Sequence, residues 1–153
     1  ELKNMSENIY KDHLTKAYNK KWLYHKYLSE EATFRDNASI IFIDIPDYSY
    51  ISETYNQLLA DNMLIFTVKF IQKKFHDEGI NCKITRYLTN KFLIILEKSN
   101  NKDIETFISN VSISLKSTTL KSNSGVLIKP SCDYSVIEAG KDSSFHDILN
   151  TLY

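Results

Sequence analysis

The order of periodicities along this chain predicts an α/β or α+β sandwich, in which helices cover a sheet. Three observations carry the prediction. Ser39-Ile40-Ile41-Phe42-Ile43-Asp44 is apolar up to its closing acid, as a strand buried on both faces requires. Cys82 to Tyr87 and Phe92 to Leu96 read as two strands around Leu88-Thr89-Asn90-Lys91, at the spacing of a hairpin. The segments between them place apolar residues at helical spacing. The 153 residues and 17.8 kDa leave room for one core.

Taken in order, Leu2 to Tyr10 carries Leu2, Met5, Ile9 and Tyr10 among polar residues and predicts a short amphipathic helix whose apolar stripe needs a partner. Asn19 is a good N-cap for a helix bearing Trp22, Leu23, Tyr27 and Leu28. Asp36-Asn37 precedes the first strand. Pro46 ends it, because proline cannot donate to a ladder and biases Ile45 towards extended geometry. A long helix follows from about Leu58 to Phe75, with Leu59, Met63, Phe66 and Phe70 on one broad face. In the hairpin, Asn90 offers the left-handed conformation that a tight turn can require. A further helix covers about Asp103 to Leu115, with Ile104, Phe107, Ile108 and Val111 on one face. A Ser/Lys-rich loop from Lys116 to Asn123 then leads to strands near Val126-Leu127-Ile128 and Asp133 to Glu138. Phe145 to Tyr153 begins a last helix with Phe145, Ile148, Leu149 and Leu152.

Nineteen basic residues balance nineteen acidic ones, which removes the bulk electrostatic argument for nucleic acid or anionic membranes as partners. Cys82 and Cys132 lie fifty residues apart, outside any disulfide-scaffold or zinc spacing, and fit a reducing cytoplasm. No apolar run reaches bilayer-spanning length, and Glu1-Leu2-Lys3-Asn4 is not a signal peptide. His13, His25, His76 and His146 are scattered without ligand spacing. Tyr48, Tyr50 and Tyr55 are read as ordinary packing, and Lys69, Lys73 and Lys74 as a solvated helix face.

Four segments carry a resemblance. Asp12-His13-Leu14-Thr15-Lys16-Ala17-Tyr18-Asn19-Lys20-Lys21-Trp22-Leu23 is similar to the D-x-L-T-G-L-x-N-R-R-x-L motif of the GGDEF domains of diguanylate cyclases, with Lys16 in place of Gly. Ile41 to Tyr48 resembles the family's strand ending D-x-D-x-F, with Pro46 in place of the second acid. Arg86-Tyr87-Leu88-Thr89-Asn90-Lys91-Phe92 is in register with R-Y-G-G-D/E-E-F, and Leu152-Tyr153 with the A-L-Y that opens the family's last helix. The resemblance implies a palm-like fold shared with nucleotidyl cyclases, with a central, mostly antiparallel sheet flanked by helices. It implies residues 1–11 as the end of a signalling or linker helix and residues 12–153 as the GGDEF domain, cut short at its C-terminal end.

The departures from the family pattern set the functional expectation. Leu88 and Thr89 stand where the family has two glycines, so side chains enter the space of the triphosphate. Asn90 replaces a metal-binding acid, and an amide is a poor substitute for a carboxylate towards Mg²⁺. Lys91 replaces a second acid and sets a positive charge beside the metal position, a repulsion of about 1–4 kcal/mol at close range. By resemblance the metal ligand that survives is Asp44, at the end of the central strand. Its plain alternative is an ion pair with Lys91 or Arg86. The guanine-reading positions become Ser52 and Asp61. Asp61 survives without the amide that the family supplies at Ser52, and the G-H between them becomes Asn56-Gln57. The product-binding R-x-x-D becomes Gly79-Ile80-Asn81-Cys82, so feedback binding of cyclic di-GMP is not expected there. Asp12 with Thr15 is read as a connector rather than a catalytic pair.

The expectation is a degenerate GGDEF domain with no catalytic residues and no cofactor. It acts as a regulatory or interaction module in a cytoplasmic, bacterial cyclic di-GMP signalling protein. Its partners would be other domains of the same protein, a sister GGDEF or EAL domain, or a second copy of itself, with no nucleic acid and no membrane insertion by this segment. The alternative is a sensor that holds GTP, with Mg²⁺, through Asp44 and Asp61. A working cyclase is the third reading.

Overall fold

The computed structural model describes residues 9–97 and 103–152. The expected helix from Leu2 to Tyr10 falls mostly outside them, and Ile9 and Tyr10 form a turn. Strand β1 (Ala38–Asp44) is buried from end to end apart from Asp44. It lies inside a four-stranded sheet of order β2-β3-β1-β6, with β2 at Lys83–Leu88, β3 at Lys91–Glu97 and β6 at Asp133–Ala139. Every pairing is antiparallel, so a doubly buried apolar strand here belongs to an antiparallel sheet. A single parallel bridge joins Tyr18 to Thr85 at its margin.

Alternation along β1 divides the core. Ile41 and Ile43 face one layer with Ile94, Leu96 and Ile84, covered by helices α3 (Gln57–Asp77) and α4 (Ile104–Lys116). Ile40 and Phe42 face the other, with Leu93, Ile95, Leu23, Phe34, Phe145 and Leu149, covered by α1 (Lys20–Trp22, running on through Leu23–Tyr27) and by α5 (Phe145–Leu152). Helix α1 starts at Lys20 because the Asn19 side chain accepts the Trp22 N–H at 2.9 Å. After Trp22 it widens into π-helical hydrogen bonding over Leu23–Tyr27, closed by the Leu28 N–H donating to the Leu23 carbonyl at 2.9 Å. Asn56 caps α3 and Asp103 caps α4, each through its side-chain oxygen.

Three features differ from the sequence expectation. A seven-residue helix α2 (Tyr48–Thr54) occupies the stretch after Pro46. It buries Tyr48, whereas Tyr50 and Tyr55 are exposed, so the packing reading holds for the first tyrosine alone. The Ser/Lys-rich loop contains β4 (Leu120–Lys121), which pairs with β5 (Leu127–Ile128). The hairpin turn is Thr89 and Asn90 only, with a register shift between Arg86 and Leu88, and Asn90 is not among the residues with positive φ. The turn is thus accompanied by a bulge in β2 rather than by a left-handed asparagine. No helix among the described residues is long and apolar enough to cross a membrane.

Candidate functional site

Asp44 closes β1 directly opposite Lys91 on β3, a placement fixed by the antiparallel register. The turn clamps onto the end of β1. The Ile45 N–H donates to the Asn90 carbonyl at 2.9 Å, and the Asn90 Nδ2 donates to the Ile45 carbonyl at 2.9 Å and to Asp44 Oδ1 at 3.2 Å. Both partners of that amide are acceptors, which fixes its NH2 group towards Asp44. The Lys91 ammonium lies 3.1 Å from Asp44 Oδ2. One oxygen of the carboxylate therefore accepts from an amide and the other faces a fixed cation.

A magnesium ion requires anionic oxygens at this point. The donors on hand are one carboxylate engaged at both oxygens and an amide that presents hydrogen atoms. A second cation would meet the Lys91 ammonium. This set does not fit Mg²⁺, and among the described residues no group of three or more metal-ligating side chains is assembled elsewhere.

The base of the same hairpin is held by a different cation. The Arg86 Nε and Nη2 donate to the Thr89 carbonyl at 3.0 and 2.8 Å, while Nη1 donates to both oxygens of Asp12 at 3.2 and 3.1 Å. Asp12 also accepts from the Thr15 N–H and hydroxyl at 2.9 and 2.8 Å. Burial pushes the Asp12 carboxyl up, but the Thr15 hydrogen bonds and the Arg86 guanidinium outweigh it and leave it below the usual carboxylate range. Lys16 follows in the left-handed region at φ +66°, the position where the family motif has glycine. The Asp12 turn is thus a connector between the start of the domain and its hairpin.

Ser52 and Asp61, the guanine-site positions by resemblance, lie on α2 and α3 and are bridged by Gln57, to which the sequence assigned no role. The Gln57 amide donates through Nε2 to Asp61 Oδ1 at 2.7 Å and to the Tyr48 hydroxyl at 2.5 Å. Its Oε1 accepts the Ser52 hydroxyl at 2.8 Å, and the Tyr48 hydroxyl donates to Asp61 Oδ1 at 3.1 Å. One side-chain amide thus offers its carbonyl to position 52 and its N–H to position 61. The i, i+4 spacing of Gln57 and Asp61 on a helix was the available signal. Asp44 and Asp61 belong to separate hydrogen-bond groups.

At the positions of R-x-x-D, Gly79 closes α3. It has φ +70°, and the Ile80 N–H donates to the Phe75 carbonyl at 2.9 Å. A backbone cap stands where a ligand-binding arginine would be. Burial pushes the Cys82 thiol up to about 12, which disfavours the thiolate.

The GGDEF family model, described as "Diguanylate cyclase, GGDEF domain", matches residues 9–151. No curated protein matches the chain. Among solved structures, the FimX GGDEF domain from Pseudomonas aeruginosa superposes with a TM-score of 0.74 at 14% identity, over 92% of this chain and 87% of that one. The coiled coil and GGDEF domain of DgcB from Caulobacter crescentus, in complex with c-di-GMP, gives 0.79 at 16% identity, over 97% and 79%. The diguanylate cyclase SiaD from Pseudomonas aeruginosa, in complex with its activator SiaC, gives 0.79 at 15% identity, over 97% of this chain but 57% of that one. At these identities the superpositions speak for the fold, and the family match extends over nearly the whole length: the chain belongs to the GGDEF domain family.

Proposed function

We propose that this is a catalytically inactive GGDEF domain that serves as a regulatory or protein-interaction module in cyclic di-GMP signalling. The observation that carries the reading is the Lys91 ammonium 3.1 Å from Asp44 Oδ2, with the Asn90 amide on the other oxygen. A tethered cation neutralises the carboxylate on which a metal ion would depend. Leu88, exposed on the bulged turn, and Thr89 add bulk where the family keeps two glycines. The Gln57 amide between Ser52 and Asp61 supports the same reading, because it engages the polar groups that would meet a guanine edge. Partner binding by a GGDEF protein has a precedent in SiaD with its activator SiaC. The partner proposed here is another domain of the same protein or a sister signalling domain.

Calorimetric titration with GTP, with and without Mg²⁺, tests this. The expected result is no magnesium-dependent heat in the native protein and none in Asp44→Asn. Micromolar, magnesium-dependent binding that is lost in Asp61→Ala would overturn it and establish a GTP sensor instead.

A further inference from the structure

A second polar region lies at the other end of β2, away from the hairpin turn. There a cleft of about 350 Å³ is lined by the rings of Tyr18, Trp22 and Tyr27 and by the cations Lys26, Arg35 and Lys83, with Asp36 as its one carboxylate. The widened turn of α1 builds it. Hydrogen bonding from residue i+5 to residue i sets Tyr27 beside Trp22, with ring centroids 5.7 Å apart and planes 28° apart. On the other side Tyr18 stacks on Trp22 at 4.0 Å and 12°. Tyr18 and Trp22 occupy positions that the D-x-L-T-G-L-x-N-R-R-x-L pattern leaves open, so the fold does not demand aromatic rings there.

Two of the cations, Lys26 and Arg35, carry the argument, and Lys26 lies over the Tyr10 ring at 5.3 Å. Among the described residues neither Lys26 nor Arg35 has a carboxylate within ion-pair distance. Arg35 is anchored by its Nη2 donating to the Leu28 carbonyl at 3.1 Å, and that is its one hydrogen bond among the described residues. A guanidinium held this way keeps paired N–H groups for an anion of planar or tetrahedral geometry. The volume is in the range of small-molecule sites, and aromatic walls beside fixed cations suit a ring that carries a phosphate.

We infer that this cleft binds a small phosphorylated planar ring of the mononucleotide class, with the phosphate on Lys26 and Arg35 and the ring along the edges of the stacked Trp22 and Tyr27. A single nucleotide suits it better than a polynucleotide. The cleft holds about 350 Å³, and the chain has no net positive charge to hold a long phosphate backbone. The site shares no residue with Asp44, Asn90, Lys91 or the Gln57 network, and it does not depend on the state of the signature hairpin.

Trp22 is the one tryptophan in the chain, so its emission reports directly on the cleft. The native protein is titrated with AMP, GMP, adenosine, inorganic phosphate and a short single-stranded oligonucleotide, following emission and, on the same samples, heat. AMP or GMP is expected to bind saturably below millimolar concentration. Phosphate alone and adenosine alone should bind at least about tenfold more weakly, since each lacks half of the contacts. The double variant Lys26→Ala/Arg35→Ala changes two exposed side chains and should lose at least about tenfold in affinity with an unchanged circular dichroism spectrum. Asp61→Ala should bind as the native protein does. No binding by either readout, phosphate binding as tightly as the mononucleotides, an oligonucleotide binding where mononucleotides do not, or unchanged affinity in the double variant would each overturn the assignment.

Discussion

Two acid–cation pairs sit on the same hairpin with the same closest approach of 3.1 Å, and they differ in everything else. In the pair at the base, the Arg86 and Asp12 side chains are 16% and 19% exposed. Arg86 there is bound to two oxygens of Asp12 and twice to the Thr89 carbonyl, and Thr15 completes the carboxylate. In the pair at the tip, the Lys91 and Asp44 side chains are 26% and 37% exposed. A mostly buried guanidinium whose nitrogens are all engaged, Nη1 on both Asp12 oxygens and the other two on the Thr89 carbonyl, holds structure, whereas a more solvated ammonium pair adds little stability. The Asp12 connector is therefore held tightly, while Asp44 faces an ammonium, the contact on which the proposed inactivity rests. The hairpin's structural tie and the carboxylate at the end of β1 rest on different pairs, so one can change without the other.

The largest effect should come from breaking the basal pair. Arg86→Met leaves Asp12 without its cation and the Thr89 carbonyl without its donors. We expect a loss of about 2–4 kcal/mol, read as a lower urea midpoint at unchanged slope. A loss below that of Lys91→Met, for which about 0–1 kcal/mol is expected, would erase the contrast between the two pairs.

Acid titration sharpens the same contrast. The Asp12 carboxyl sits below its usual range in the folded protein, so its ionised form favours folding, and acidification weakens that contribution. That contribution is complete above the ordinary carboxylate value. It disappears as pH falls below about 4 and through the folded value. The stability difference between the native protein and Asp12→Asn should therefore shrink on acidification through that window. A constant difference would remove the charge from the account.

At the tip, Asn90→Asp combined with Lys91→Glu returns two carboxylates beside Asp44 and removes the ammonium. Affinity for Mg²⁺, followed by calorimetry, should rise at least about tenfold over the native protein. Equal affinity in both proteins would mean that Lys91 is not what excludes the metal.

The smallest changes concern positions where the backbone or a polar atom is poorly served. Lys16 holds φ +66° with a side chain, and Lys16→Gly should stabilise by up to about 1 kcal/mol, less the added freedom of the unfolded chain. Thr85 is fully buried on β2, and its hydroxyl has no partner among the described residues. Thr85→Val should stabilise by about 1 kcal/mol in thermal or urea unfolding.

Most of the fold was legible because its signals are local. The apolar run from Ser39 to Asp44, the capping residue Asn19 and the apolar face of α3 each state their structure within a few residues. Helix α2 was missed because it is short and Asp47 makes no side-chain capping bond. Strand β4 was missed because two residues carry no period. The wide turn of α1 has no sequence signal. It goes with the placement of Trp22 between Tyr18 and Tyr27, a tertiary arrangement. In the site, the losses at Leu88 to Lys91 could be read by motif, as could the alternative pairing of Asp44. The choice of Lys91 over Arg86 required the register, and the bridging role of Gln57 required the juxtaposition of α2 and α3.

The most direct test of the central claim is turnover. The purified domain is incubated at high concentration with GTP and Mg²⁺, and the products are separated by chromatography. The account predicts no cyclic di-GMP, because Asp44 faces an ammonium rather than a metal ion. A cyclic di-GMP peak that disappears in Asp44→Asn would contradict it.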